Sequence, residues 1–200
     1  MQQTFDDSEA TPVAYFDTRF NRDAIKLLPG QYFATSADKL IVTVLGSCVA
    51  ACIRDPIARI GGMNHFMLPE AARDDDRVRS MLTRYGLHAM TMLIAHIEEL
   101  GGRRERLEAK VFGGGKVLNG FEKCDVGQIN AKFVQAFLTR TGIPVVGQDL
   151  CQDYARKIYY MPATGEVYMK RIQRYNNTTI FDREQRHRQS LLAQNHNVQI

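Results

Sequence analysis

Cys48, in Leu45-Gly46-Ser47-Cys48, and His65, in Gly61-Gly62-Met63-Asn64-His65-Phe66-Met67-Leu68-Pro69, are residue types that can share a proton. A cysteine attacks as its thiolate, and a thiol of pKa about 8.5 is only slightly ionised at neutral pH. A histidine within reach can take that proton and later give it to a leaving amine. The tetrahedral intermediate then needs donors for its oxyanion, which backbone N–H groups at a glycine turn can supply. Gly46-Ser47-Cys48 offers such groups, the N–H of Cys48 foremost. A third polar group commonly orients the imidazole. Thr43, just upstream on the same apolar run, and Asn64, beside His65, are the two candidates. The competing explanation is packing, because cysteine is among the most buried residue types. Cys52, inside the small apolar run Cys48-Val49-Ala50-Ala51-Cys52-Ile53, fits packing better than chemistry.

The elements that must hold this pair can be read from hydrophobic period. Ile41-Val42-Thr43-Val44-Leu45 is apolar and β-branched and predicts a buried strand. Gly46-Ser47 breaks it, and Cys48 to Ile53 resumes as a strand or as the start of a helix. Asp55-Pro56 is a turn, and Ile60 to Leu68 predicts another strand. Asp74, Asp75 and Asp76 suit a helix N-terminus, and helical spacing follows from Val78 to Leu100, with Gly86 a point where it could split. Leu107 to Phe112 predicts a strand leading into Gly113-Gly114-Gly115-Lys116. That run lacks the spacing of a phosphate loop and reads as a tight turn beside a site. A helix is expected over Gly127 to Thr141, then strands at Val145–Leu150, Lys157–Met161 and Glu166–Ile172, the last two joined by a Pro162-Ala163-Thr164-Gly165 hairpin. The fold class expected is α+β, a layered arrangement with mixed sheets.

Composition narrows the function classes. The chain has 200 residues, 44% hydrophobic and 24% charged, enough for one domain with a core that needs no disulfides. No run approaches the roughly 20 apolar residues of a membrane span, and Met1 to Ala10 is too polar and acidic for a secretory signal, so a cytoplasmic protein is expected. The net charge of +4 is dispersed, with no basic stripe and aromatic platform for nucleic acid. Cys48, Cys52, Cys124 and Cys151 form no Cys-x-x-Cys pair, which argues against zinc and leaves one reactive thiol among inert ones, or four inert ones.

Leu45-Gly46-Ser47-Cys48-Val49-Ala50, Asp55-Pro56 and Gly61 to Pro69 together resemble the signature of CheD, the chemoreceptor glutamine deamidases of bacterial chemotaxis. The likeness continues through Lys110-Val111-Phe112-Gly113-Gly114-Gly115, Arg156-Lys157-Ile158 and Thr164-Gly165-Glu166-Val167, and covers about residues 30 to 173. The resemblance implies a protein-glutamine glutaminase that hydrolyses receptor glutamine side chains to glutamate, with ammonia released. Some members are also methylesterases. It implies a fold similar to the catalytic domain of the cytotoxic necrotizing factors. It makes Cys48 the nucleophile, His65 the general base and Thr43 the third member, with Gly46, Ser47 and Asn64 as backbone and neighbours of the site. No metal or organic cofactor is implied. The partners implied are the cytoplasmic helices of chemoreceptors and a CheC-type phosphatase, without nucleic acid or membrane insertion. The organisation expected is a flexible arm over residues 1–24, a catalytic domain over 25–175 and a tail over 176–200, forming a short helix or disordered.

Two departures stand out. The family tends to show Ile-Gly-Glu-Arg-Asn where this chain has Val126-Gly127-Gln128-Ile129-Asn130, and a Gly-Gly near Asp149-Leu150 where Cys151-Gln152 follows. They keep alive a non-catalytic adaptor that binds receptor or phosphatase. Without the resemblance, the Cys-His pair would equally suit a cysteine protease.

Overall fold

A computed structural model describes residues 11–68, 76–116 and 126–172, together with Glu184, Arg186 and Gln189. Ten strands form two five-stranded sheets. The first sheet runs β1 (Val13–Asp17), β2 (Arg22–Lys26), β4 (Leu40–Leu45), β9 (Ala155–Met161), β10 (Glu166–Ile172). The second runs β3 (Tyr32–Thr35), β6 (Ile60–Asn64), β5 (Val49–Asp55), β7 (Glu108–Gly113), β8 (Val145–Leu150). Pairing is antiparallel except at β2 with β4 and β7 with β8, so both sheets are mixed. With two long helices, α1 (Asp76–Glu99) and α2 (Val126–Thr141), this is the α+β layered class expected.

Strand period decides the layering. Cys48, just before β5, and Ala50 and Cys52 within it face one way and pack with Ile25, Ile41, Leu45, Ile158 and Tyr160 of the first sheet. Val49, Ala51 and Ile53 face the other way and pack against the helices. The order through the molecule is therefore helices, second sheet, first sheet. Every residue of β5 except Arg54 is buried, as expected for a strand covered on both faces. On α1, Met90, Leu93, Ile94 and Ile97 are at most 1% exposed and carry the i, i+3, i+4, i+7 stripe. Fully burying an aliphatic side chain of this kind contributes about 1.5–3 kcal/mol. The helix is continuous through Gly86.

One expectation needs correction. The arm over 1–24 is partly sheet, because β1 and β2 make a hairpin with Val13 opposite Lys26 and Asp17 opposite Arg22. Asp17 Oδ1 accepts the N–H groups of Arg19 (3.1 Å) and Phe20 (3.3 Å) across its turn, and the Phe20 ring rests on Tyr159 with centroids 4.9 Å apart. β3, where no element is expected from the sequence, is an edge strand antiparallel to β6. The Asp74 and Asp75 part of the α1 start lies outside the described residues; Asp76 is its first residue. Cys48 to Ile53 is strand rather than helix from Val49 onward. No helix among the described residues is long and apolar enough to cross a membrane.

Candidate active site

Residues 46–48 are the link by which the chain leaves the first sheet at Leu45 and enters the second at Val49. Its three carbonyls are tied from behind. Gly115 N–H donates to Gly46 O (2.7 Å), Gly114 N–H to Cys48 O (2.8 Å), and Asn130 Nδ2 of α2 to Ser47 O (3.0 Å). With the carbonyls held on one side, the N–H groups of Gly46, Ser47 and Cys48 converge on the other.

The triple glycine is required for this approach. Gly113 has φ +115°, and a Cβ there would stand 2.1 Å from Cys48 O; Gly114 has φ +61°. The turn is held in its own right by Arg156, which is completely buried, donates to Gly113 O (3.0 Å) and Tyr154 O (3.0 Å), and pairs with Asp149 at 2.6 Å. Burial pulls the Arg156 pKa down and Asp149 opposes that. A buried guanidinium is tolerable only because carbonyls and a carboxylate surround it. Cys151, where the family resemblance calls for glycine, has φ +59°.

His65 sits on the neighbouring strand segment. Val49 and Phe66 exchange both backbone hydrogen bonds, at 3.0 and 2.9 Å, and Cys52 lies opposite Met63. That register sets Met67 opposite Cys48 and His65 opposite Ala50. Cys48 and His65 are thus diagonal neighbours on one face, at the about 7–8 Å backbone spacing of such pairs. The His65 backbone is clamped by Gln31 O (2.9 Å) and Gly30 N–H (2.7 Å).

Thr43 meets His65 from the facing sheet. Its Oγ1 is 2.7 Å from His65 Nδ1 and donates its one hydrogen to Leu27 O at 2.9 Å. A hydroxyl that has given its hydrogen to a carbonyl must accept at the second contact, so the network assigns the proton of neutral His65 to Nδ1 and the lone pair to Nε2. Thr43 and His65 are 1% and 2% exposed. Asn64 does not orient the ring. It points to the opposite face, where Oδ1 accepts Ala51 N–H (2.9 Å) and Nδ2 donates to Ala89 O (3.2 Å) and Met90 Sδ (3.2 Å), pinning β5 and β6 to α1.

The converging N–H groups are occupied by Glu184. Its Oε1 accepts from Gly46 N–H (3.0 Å) and Cys48 N–H (3.3 Å), and its Oε2 from Ser47 N–H (3.2 Å) and the Ser47 hydroxyl (2.6 Å). Glu184, from the 176–200 tail, is 7% exposed and helical. Burial pushes the Cys48 thiol pKa well up, and the Glu184 carboxylate beside it pushes further. Cys52, completely enclosed, is likewise raised by burial. A groove of about 460 Å³ opens beside the site, lined by Tyr15 of β1, Lys26, Val42, Thr43, His65 and Glu184 among others. The β1–β2 hairpin is one of its walls. Asn130, Arg156 and Glu184 were not singled out as site residues in the sequence. The Gln128 and Ile129 departures fall on exposed positions of α2, while Asn130 between the site and the helix is completely buried. Among the described residues no three His, Cys, Asp or Glu side chains gather as metal ligands would.

A family model described as CheD chemotactic sensory transduction matches residues 67–171. Proteins named probable chemoreceptor glutamine deamidase CheD are similar over most of the chain. That of Herminiimonas arsenicoxydans is 50% identical over 181 residues, covering 90% of this chain and 89% of its own. That of Janthinobacterium sp. (strain Marseille) is 53% identical, covering 86% and 84%, and that of Laribacter hongkongensis 48%, covering 88% and 86%. A solved structure, Bacillus licheniformis hypothetical protein YfiH, superposes with TM-score 0.38 at 15% identity, over 60% of this chain and 51% of that one.

Proposed function

The chain belongs to the CheD family, and from that premise we propose that it is a chemoreceptor glutamine deamidase in which Cys48 is the nucleophile, His65 the general base and Thr43 the residue that positions His65. The observation that carries this reading is the convergence of the Gly46, Ser47 and Cys48 N–H groups on one carboxylate, beside a cysteine and a histidine whose Nδ1 is already engaged by Thr43.

The chemistry follows from that arrangement. A receptor glutamine enters by the groove and sets its carboxamide oxygen on the N–H groups of Gly46 and Cys48. His65 Nε2 takes the Cys48 proton as sulfur attacks the carboxamide carbon. The charge that develops on oxygen is met by donors already in place; one such donor contributes on the order of 10²–10³ in rate in other acyl-transfer sites. The C–N bond breaks and ammonia leaves with the proton from His65. Water, deprotonated by His65, then cleaves the thioester, giving glutamate and the free thiol. Thr43 keeps Nε2 unprotonated in the neutral ring and stabilises the imidazolium formed in between.

The catalytic unit assigned to residues 25–175 is extended in this reading by the β1–β2 hairpin, which walls the groove. The protein acts in the cytoplasm on receptor helices. A CheC-type phosphatase is the second partner. The test is mass spectrometry of receptor cytoplasmic fragments after incubation with the protein: particular glutamines become glutamates, and Cys48→Ala and His65→Ala leave them unchanged. Deamidation by Cys48→Ala at the native rate removes the nucleophile from the scheme. Backbone cleavage of the fragments would instead make the protein a protease.

A further inference from the structure

Nothing in the reaction calls for a carboxylate where Glu184 stands. A negative charge beside Cys48 opposes thiolate formation, and burial and this carboxylate both hold the thiol in its protonated form. Yet the fit is close. Both oxygens of Glu184 are engaged, four contacts in all fall on residues 46–48, and the side chain is 7% exposed. Glutamate is also the side chain that deamidation of a glutamine leaves behind. Glu184 therefore presents, within the same molecule, the chemical group that the site has just made when a turnover ends. It also borders the groove by which a substrate side chain would arrive.

Resting on the deamidase reading, we propose that Glu184 is a built-in product mimic: it fills the carboxamide site with a side chain of the same molecule, and a receptor glutamine must displace it before the enzyme turns over. Competition is direct, because the carboxamide oxygen and Glu184 Oε1 require the same N–H groups of Gly46 and Cys48. The inhibition is competitive and internal. Its strength is the fraction of molecules whose site is covered.

Two full-length variants test this. Glu184→Ala uncovers the site. If the carboxylate is home about nine-tenths of the time, the KM for a receptor fragment falls about tenfold with kcat unchanged, and alkylation of Cys48 by iodoacetamide at neutral pH quickens. An unchanged KM and alkylation rate, in a protein that still deamidates receptor, overturns the proposal and leaves the deamidase reading standing.

Glu184→Gln keeps an oxygen to accept from Gly46 and Cys48 N–H, gives up the Ser47 N–H contact because an amide NH2 cannot accept it, and makes the mimic a substrate. Cys48 Sγ bonds to the amide carbon, the C–N bond breaks, ammonia departs with a proton from His65, and water cleaves the thioester, so the amide becomes a carboxylate and the thiol is restored. Peptide mass spectrometry of that variant should find the introduced amide converted to acid at a rate independent of protein concentration, and intact when Cys48→Ala is combined with it. An amide that persists in a protein active on receptor overturns the proposal. Absence of receptor deamidation by both the native protein and Glu184→Ala overturns the deamidase reading itself, a result distinct from the first.

Discussion

Replacing Thr43 with valine keeps the side-chain shape and deletes its hydroxyl. Two buried groups then lose a partner: Leu27 O its donor and His65 Nδ1–H its acceptor. With Thr43 and His65 at 1% and 2% exposed, water cannot easily replace the oxygen. Leaving such a group unpaired costs about 1–3 kcal/mol. The part that falls on His65 no longer favours the tautomer with the lone pair on Nε2, nor the imidazolium. Taken as about 1.4–2.8 kcal/mol, it lowers kcat about 10- to 100-fold. The KM for a receptor fragment should stay near native, because Thr43 acts through the ring and not on the substrate. The part that falls on Leu27 O appears as lost thermal stability. Ammonia release gives the kinetics, and thermal unfolding confirms that the variant is folded. Thr43→Ser restores the hydroxyl and should recover most of kcat. A folded Thr43→Val with kcat within about twofold of native refutes the assignment of the Nδ1 proton. Serine as damaging as valine means that the methyl group, not the oxygen, matters.

Gly113→Ala should inactivate with the cysteine intact. A Cβ 2.1 Å from Cys48 O cannot be accommodated without moving the loop, and φ +115° adds strain of about 1–2 kcal/mol. Activity should fall at least about 100-fold while Tm drops about 2–4 °C per kcal/mol lost, measured by ammonia release and calorimetry. Asp55→Asn should act on stability alone. Burial by itself raises the Asp55 pKa, but the N–H groups of Ala58, Arg103 and Ile57, and then Arg106, outweigh it and hold the carboxyl below its usual value. A carboxyl depressed in the folded state stabilises at pH above its unfolded value, and that stabilisation is lost as pH falls through the folded value. The variant should therefore be about 1–2 kcal/mol less stable at pH 7, and the gap should close below about pH 4 in denaturant titrations. A gap that is constant with pH removes the ionised carboxylate from the account.

The strands around the candidate site were legible from composition, although Cys48 to Ile53 stood open between strand and helix. Ile41 to Leu45, Cys48 to Ile53 and Ile60 onward are apolar and short, and the structure finds β4, β5 and β6 there. α2 and the β9–β10 hairpin were equally plain, marked by helical spacing and a turn sequence. What could not be read was partnership. β1 alternates weakly, with Val13 54% and Phe16 56% exposed, since an edge strand need not bury either face. Its hairpin is anchored by Phe20 on Tyr159, a contact that no local pattern announces. Thr43 and Asn64 were level candidates because both adjoin the pair in sequence. Strand parity separates them: Thr43 lies on the face of β4 turned to the second sheet, and Asn64 on the helix side of β6. Asn130 and Glu184 were invisible for a simpler reason. Each reaches the loop through a side chain from far along the chain, 83 and up to 138 residues away.

The backing of residues 46–48 arrives late in synthesis. Gly114 and Gly115, Asn130 and Arg156 all follow the cysteine and histidine by a long stretch of polypeptide. On the proposed roles, a chain emerging from the ribosome carries its thiol well before the residues that would arm it. On those same roles, a product that ends before Gly114 would carry Cys48 and His65 without the frame that sets them to work.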